Sequence, residues 1–168
     1  MQHTDLLLDS QQVTPMTSPL FTPAIAAIDA CNAKDPRQDQ DEQGRAVPYE
    51  LLYSQRMSQE LARFVPQASE ALQLAARAQH LERWKIARSE YSMDRTGYLN
   101  WRNDLKKWHA ERARALLLQV GYDQPMQDRV ASLILKEKFK SDTEGQQLED
   151  VICLVFLRYY FAEFATQH

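Results

Sequence analysis

The stretch Gln67–Trp84, QASEALQLAARAQHLERW, decides the fold. From Ala71 to Ala78 it is apolar nearly all round, so a helix here has almost no side to offer to water and must be central. Near its end stand a histidine, an arginine and a tryptophan: His80, Arg83 and Trp84. Read as one helix to Trp84, the stretch puts His80 in line with Leu72 and Ala76.

Helical periodicity continues on either side. SPLFTPAIAAIDACNAK places Phe21, Ile25, Ile28 and Cys31 or Asn32 on one face, and YELLYSQRMSQELARFV does the same with Leu51, Leu52, Met57, Leu61 and Val65 before Pro66 ends it. DPRQDQDEQGRAVP between them reads as a polar loop broken at Asp35-Pro36 and Gly44. After an irregular basic stretch, YLNWRNDLKKWHAERARALLLQV carries Trp101, Leu105, Trp108, Leu116 and Val120 in a stripe and meets Gly121 as its C-cap. DQPMQDRVASLILKEKF is capped by Asp123 and turns Met126, Val130, Leu133 and Ile134 inward. The last segment, SDTEGQQLEDVICLVFLRYYFAEF, opens with a capping box from Ser141 to Glu144, and Val151 to Leu157 is apolar all round, which predicts a second central helix.

No strand alternation and no internal repeat is visible. The expectation is an all-α, single compact domain of about six helices over residues 19–168, preceded by a Gln-, Ser- and Pro-rich mobile tail over residues 1–18. With only four glycines and seven prolines, the composition leans the same way. A net charge of −3 gives no clear nucleic-acid footprint, although a local basic face is compatible with it. Neither a signal peptide nor a membrane-spanning run is evident, and two lone cysteines in helical context suit a reduced, cytoplasmic protein.

Three polar residues are expected to point inward. His80 and His109 share faces with core leucines and alanines, and a helical histidine is more often hydrogen-bonded structure than a ligand. Asp150 shares a face with Cys153, Leu154 and Leu157, two turns into the helix and beyond the reach of its dipole. A carboxylate entering an apolar core requires a cation, donors or a metal. Around these positions HLERWKIAR and GYLNWRNDLKK mix Arg83, Arg88 and Arg102 with Trp84 and Trp101. Guanidinium forks suit phosphate or carboxylate, and aromatic faces stack a base or a guanidinium; a solvated face with interhelical salt bridges is the competing account. Lys136, Lys138 and Lys140 read as a solvated helix end.

LLYSQRM, AARAQHLERW, GYLNWRNDLKKWHA and LEDVICLVFLRYYFAEF, in that order, closely resemble a bacterial family, domain-of-unknown-function family 4202, from about Phe21 onward. Members of that family continue with a further helical segment beyond the position of His168, so the resemblance implies a C-terminally truncated chain. The HIGH and KMSKS signatures of an aminoacyl-tRNA synthetase are absent, as is the β-α alternation of its nucleotide fold.

The sequence also resembles the HD-domain phosphohydrolases. YSQRM stands where their first histidine motif would be, RAQHL follows where the His-Asp pair would be, and LEDV is similar to the last motif. The resemblance makes His80 the histidine of the pair and Asp150 the metal-binding aspartate. Tyr53, however, replaces the first metal-binding histidine and Leu81 the paired aspartate, so the usual site is not intact. His109 matches a histidine of some of these enzymes and, with His80 and Asp150, would give a His-His-Asp set acceptable to several divalent metals.

Two functions follow. In one, a degenerate HD-like module binds a phosphorylated small molecule or nucleotide without turnover through Arg83, Trp84, Arg88, Trp101 and Arg102. In the other, a divergent metal-dependent phosphohydrolase uses His80 and Asp150 as catalytic groups. The missing ligands favour the first. A protein-interaction role through LRYYFAEF is a third possibility.

Overall fold

The computed structural model describes residues 16–138 and 140–167. Among them the architecture is all-α apart from one small hairpin, arranged as a single compact domain. The elements are α1 (Phe21–Asn32), β1 (Gln38–Gln40), β2 (Ala46–Pro48), α2 (Tyr49–Phe64), α3 (Glu70–Arg77), α4 (Arg95–Val120), α5 (Gln124–Leu135), α6 (Thr143–Val155) and α7 (Phe161–Gln167). No helix among the described residues is long and apolar enough to cross a membrane.

The eight-residue α3 is the centre, packed by α1, α2, α5 and α6. Leu72, Leu74, Ala75 and Ala76 are wholly buried on it, and each leucine so placed contributes about 2 kcal/mol of burial. Ser69 caps its start by accepting from the Leu72 amide. The longest helix, α4, lies against α5, and Asp94 and Gly121 bound it at either end. At Gly121 the backbone is left-handed, at φ 113°, which only glycine adopts without strain.

Several expectations need correction. The polar loop after α1 contains an antiparallel hairpin, with Gln38 opposite Pro48 and Gln40 opposite Ala46. Asp142 rather than Ser141 caps α6, accepting from the amides of Glu144 and Gly145. The segment Val151–Leu157 is not buried all round: Val151 and Val155 face inward, whereas Cys153, Phe156 and Leu157 are exposed. Asp150 lies on that outward side and is itself exposed. Asp150 does share its face with Cys153 and Leu157, and that face is the solvent face.

Beyond α6 the rod continues through a wider π-type turn, Phe156–Tyr160, into α7, which buries none of its residues. The tail expected over residues 1–18 falls largely on residues 1–15, outside the described residues. Ser18 is anchored: its amide and its hydroxyl both donate to the Glu70 carboxylate at 2.6 Å.

The largest departure concerns α3. It ends at Arg77, and residues 78–82 form a turn that carries His80 off the helix axis. That turn is pinned from two sides. From α1, the buried Asn32 side-chain oxygen accepts the Glu82 amide at 3.0 Å. From α4, Arg112 donates to the Glu82 carboxylate at 2.7 Å and His109 Nδ1–H donates to the Leu81 carbonyl at 2.8 Å. Held this way, Glu82 adopts a left-handed φ of 52° that a non-glycine residue rarely takes.

Candidate functional site

The pinned turn forms the floor of a cavity of about 660 Å³. Its walls come from distant parts of the chain: Tyr49 and Tyr53 from α2, Trp84 and Ile86 from the segment after the turn, Trp101 from α4, and Ile152 and Tyr160 from the C-terminal rod. Arg37, Arg83, Arg88 and Arg102 line it too. Of the residues singled out by sequence, His80, Arg83, Trp84, Arg88, Trp101 and Arg102 therefore share one cavity. His109 lies behind, on a smaller cleft, and Asp150 lines neither.

At the floor, Tyr53 stacks on the His80 ring with centroids 4.1 Å apart. Glu50, fully buried, places an oxygen 3.5 Å from His80 Nδ1, an ion-pair separation rather than a formed hydrogen bond. His80 Nε2 lies 3.4 Å from an Arg83 nitrogen that can only donate, so the imidazole proton belongs on Nδ1, toward Glu50. Burial lowers the His80 pKa, and Arg83 lowers it further against the opposing pull of Glu50. Burial would raise Glu50, but His80 and Arg37 outweigh it and the net shift is downward. A neutral imidazole beside an ionised carboxylate is the consistent state.

The four arginines are not equivalent. Arg37 is held by Asp35 at 2.9 Å and Glu50 at 2.8 Å. Arg88 donates to the carbonyls of Tyr91, Ser92 and Asp94 and so ties down the loop before α4. Arg83 lies over the Trp101 ring, 4.8 Å from its centroid, and Arg102 donates to the Tyr98 hydroxyl. Among the described residues no carboxylate is within ion-pair distance of Arg83 or Arg102. Burial and the neighbouring Arg102 and Arg37 lower the Arg83 pKa, although a guanidinium stays charged throughout the accessible range. The site thus concentrates uncompensated positive charge beside aromatic faces.

The His80–His109–Asp150 metal set is not assembled. The two imidazoles approach, with centroids 5.9 Å apart. Helices α3 and α6 do pack together, but Asp150 faces solvent. Among the described residues no three histidine, cysteine, aspartate or glutamate side chains are placed to share an ion.

The sequence alone does not single out Arg37, Glu50, Tyr49 and Tyr160 as cavity residues, and it places Tyr53 there only through the HD-domain resemblance. Glu50 had left a signal: it precedes Tyr53, Met57 and Leu61 by three, seven and eleven residues, on the stripe that goes inward. Arg37 had left none, because its place depends on the hairpin.

Fold and site together define an all-α protein with an arginine-rimmed, aromatic-walled cavity closed from below by a buried Glu-His pair. The family model for the domain of unknown function DUF4202 matches residues 22–168, and the chain belongs to that family. No curated protein and no solved structure matches it.

Proposed function

We propose that the cavity binds a phosphorylated small molecule or nucleotide and that it does so without metal-dependent turnover. One observation carries the reading: four arginines share a cavity in which Glu50 is the one carboxylate among the described residues, and Arg37 already pairs with it. Arg83 and Arg102 offer planar donor forks to phosphate, and Trp84 and Trp101 offer faces for the remainder of the ligand. On an HD-like reading of the module, Tyr53 would stand in place of the first histidine, and it stacks on His80. The metal-dependent phosphohydrolase alternative is weakened by the outward Asp150. A cytoplasmic location suits this reading, since Cys31 and Cys153 stand as free thiols.

A protein-interaction role has one observation in its favour. Phe156, Leu157, Phe161 and Phe164 expose between 39% and 58% of their surface along the C-terminal rod.

Tryptophan fluorescence tests the main reading, because Trp84 and Trp101 line the cavity. AMP and ribose 5-phosphate should each change the emission saturably, adenosine and ribose should not, and Arg83→Gln with Arg102→Gln should abolish the response. A parent protein blind to both phosphorylated compounds would refute it.

A further inference from the structure

Trp101 has an aromatic neighbour that stands outside the cavity. Tyr98, one turn earlier on α4, holds its ring 6.0 Å from that of Trp101, tilted by 49°. It does not line the cavity, and 42% of its surface is exposed. Arginines alternate with the two rings. Arg83 lies over Trp101, Arg88 is 6.0 Å from both rings, and Arg102 is 5.8 Å from Tyr98. The α4 wall reaches the surface here, because Arg102 lines the cavity and is itself exposed. Aromatic faces and guanidinium groups therefore run on from the inside of the cavity to the outside.

The outer ring is held in place rather than loose. Tyr98 lies in the first turn of α4, its amide bonded to the Asp94 carbonyl at 3.0 Å. Arg88 braces both rings while its own nitrogens are fastened to the carbonyls of Tyr91, Ser92 and Asp94. The Tyr98 hydroxyl accepts from Arg102 at 3.0 Å, which leaves further N–H groups of that guanidinium for a ligand.

The nearby carboxylates are already engaged. Asp94 accepts from the Gly97 amide and the Ser92 hydroxyl, and Asp104 accepts from the Tyr91 hydroxyl with Lys107 3.9 Å away. A fixed, half-exposed aromatic ring beside uncompensated arginine matches the platforms on which successive bases of a single strand stack. Stacking of this kind tolerates any base, since each has a π-face.

We propose that the ligand continues out of the cavity as a dinucleotide unit. One nucleotide lies inside, the phosphate that links it to the next is met by Arg102, and the second base stacks on Tyr98. This rests on the phosphate-binding reading of the cavity and narrows the ligand to a nucleotide that carries a second nucleoside.

AMP, adenosine 3′,5′-bisphosphate and the 5′-phosphorylated dinucleotide pApA are the probes, titrated by calorimetry at one ionic strength into the full chain. The bisphosphate supplies the second phosphate without the second base. pApA should bind about tenfold more tightly than the bisphosphate, a gain within the range of stacking one further base on an aromatic ring. Tyr98→Ala should bring the two to within about twofold and leave AMP at its parental affinity, whereas Tyr98→Phe, which keeps the ring, should keep the preference. Far-UV circular dichroism checks that each variant is folded. A free dinucleotide and the end of a longer strand present the same two bases, and 5′-phosphorylated hexaadenylate separates them: affinity equal to that of pApA assigns the former, tighter binding the latter. Equal affinities of pApA and the bisphosphate in the parent would overturn the platform while leaving the cavity standing. So would a preference that survives Tyr98→Ala or is lost in Tyr98→Phe. Failure of all three compounds to bind would bring down the cavity reading and the platform with it.

Discussion

His109 shows how a single side chain can serve packing and still leave a functional group unspent. Its Nδ1–H fixes the turn that presents His80, and its buried Nε2 stays bare. Burial first, then His80 and Arg83, push its pKa down to about 3 from the ordinary 6.5. Burial likewise lowers that of His80. The unfolded chain therefore binds more protons than the folded one below pH 6.5. The stability contributed by a neutral histidine is complete above that pH and drains away as pH falls toward the folded value, at about 1.4 kcal/mol per pH unit for one group. Urea unfolding between pH 6.5 and 5 should show this slope in the parent and a shallower one in His109→Asn. Carboxylates such as Glu50 add their own loss only further down, below their unfolded pKa. Identical slopes in the two proteins would mean that His109 does not titrate as argued.

Among elements, the loop before α4 is the one whose shape the cavity depends on most directly. Arg88 is fastened to three of its carbonyls, and Gly97, in the first turn of α4, lies so close that a Cβ would come within 2.0 Å of the Ser92 carbonyl oxygen. That oxygen is backbone and cannot swing aside. Gly97→Ala should cost about 1–3 kcal/mol as the loop is forced off the helix, and it should weaken phosphate binding although Gly97 is not a cavity residue. Thermal denaturation and the fluorescence titration with AMP measure the two effects, and a variant with parental stability would show that the loop yields freely.

The element scale is also where sequence reading reached its limit. The centrality of α3 was legible because six of the eight residues of Ala71–Ala78 are apolar, with Gln73 and Arg77 as a narrow polar edge. Its end was not. No glycine or proline marks Arg77, and the chain turns there because Asn32, His109 and Arg112 supply bonds from 28 to 50 residues away. In α6 an apolar run implied burial on every side, but its outer face meets no other element among the described residues. Asp150 inherited that error.

Taken whole, the molecule grades from a fixed centre to a bare edge. Leu72, Leu74 and Leu81 are fully buried, whereas α7 buries nothing. Native-state hydrogen exchange should therefore find the slowest amides in α3 and α5 and the fastest helical ones in α7. A thiol reagent should modify the exposed Cys153 promptly and the buried Cys31 only on unfolding. Equal protection along the chain, or simultaneous labelling, would contradict the gradient. The all-α class was legible at this scale, since periodicity is repeated in every segment. The full cavity was not, because Arg37, Tyr53, Trp101 and Tyr160 are separated by long stretches and only the fold draws them together.

The π-type turn between α6 and α7 acts as a vernier on that cavity. It holds one residue more than an α-helical turn would, and the surplus aims both Tyr159 and Tyr160 at Arg56, whose guanidinium covers the first ring at 4.4 Å and bonds the hydroxyl of the second at 3.2 Å. Each residue added to or taken from a helix rotates everything beyond it by about 100°. Removing one residue from 157–159 would let the rod wind regularly and would swing Tyr160 out of the cavity wall, although every side chain needed to build the wall remained. Chain length in those positions sets the phase of the site, and a deletion there should do more harm than most substitutions.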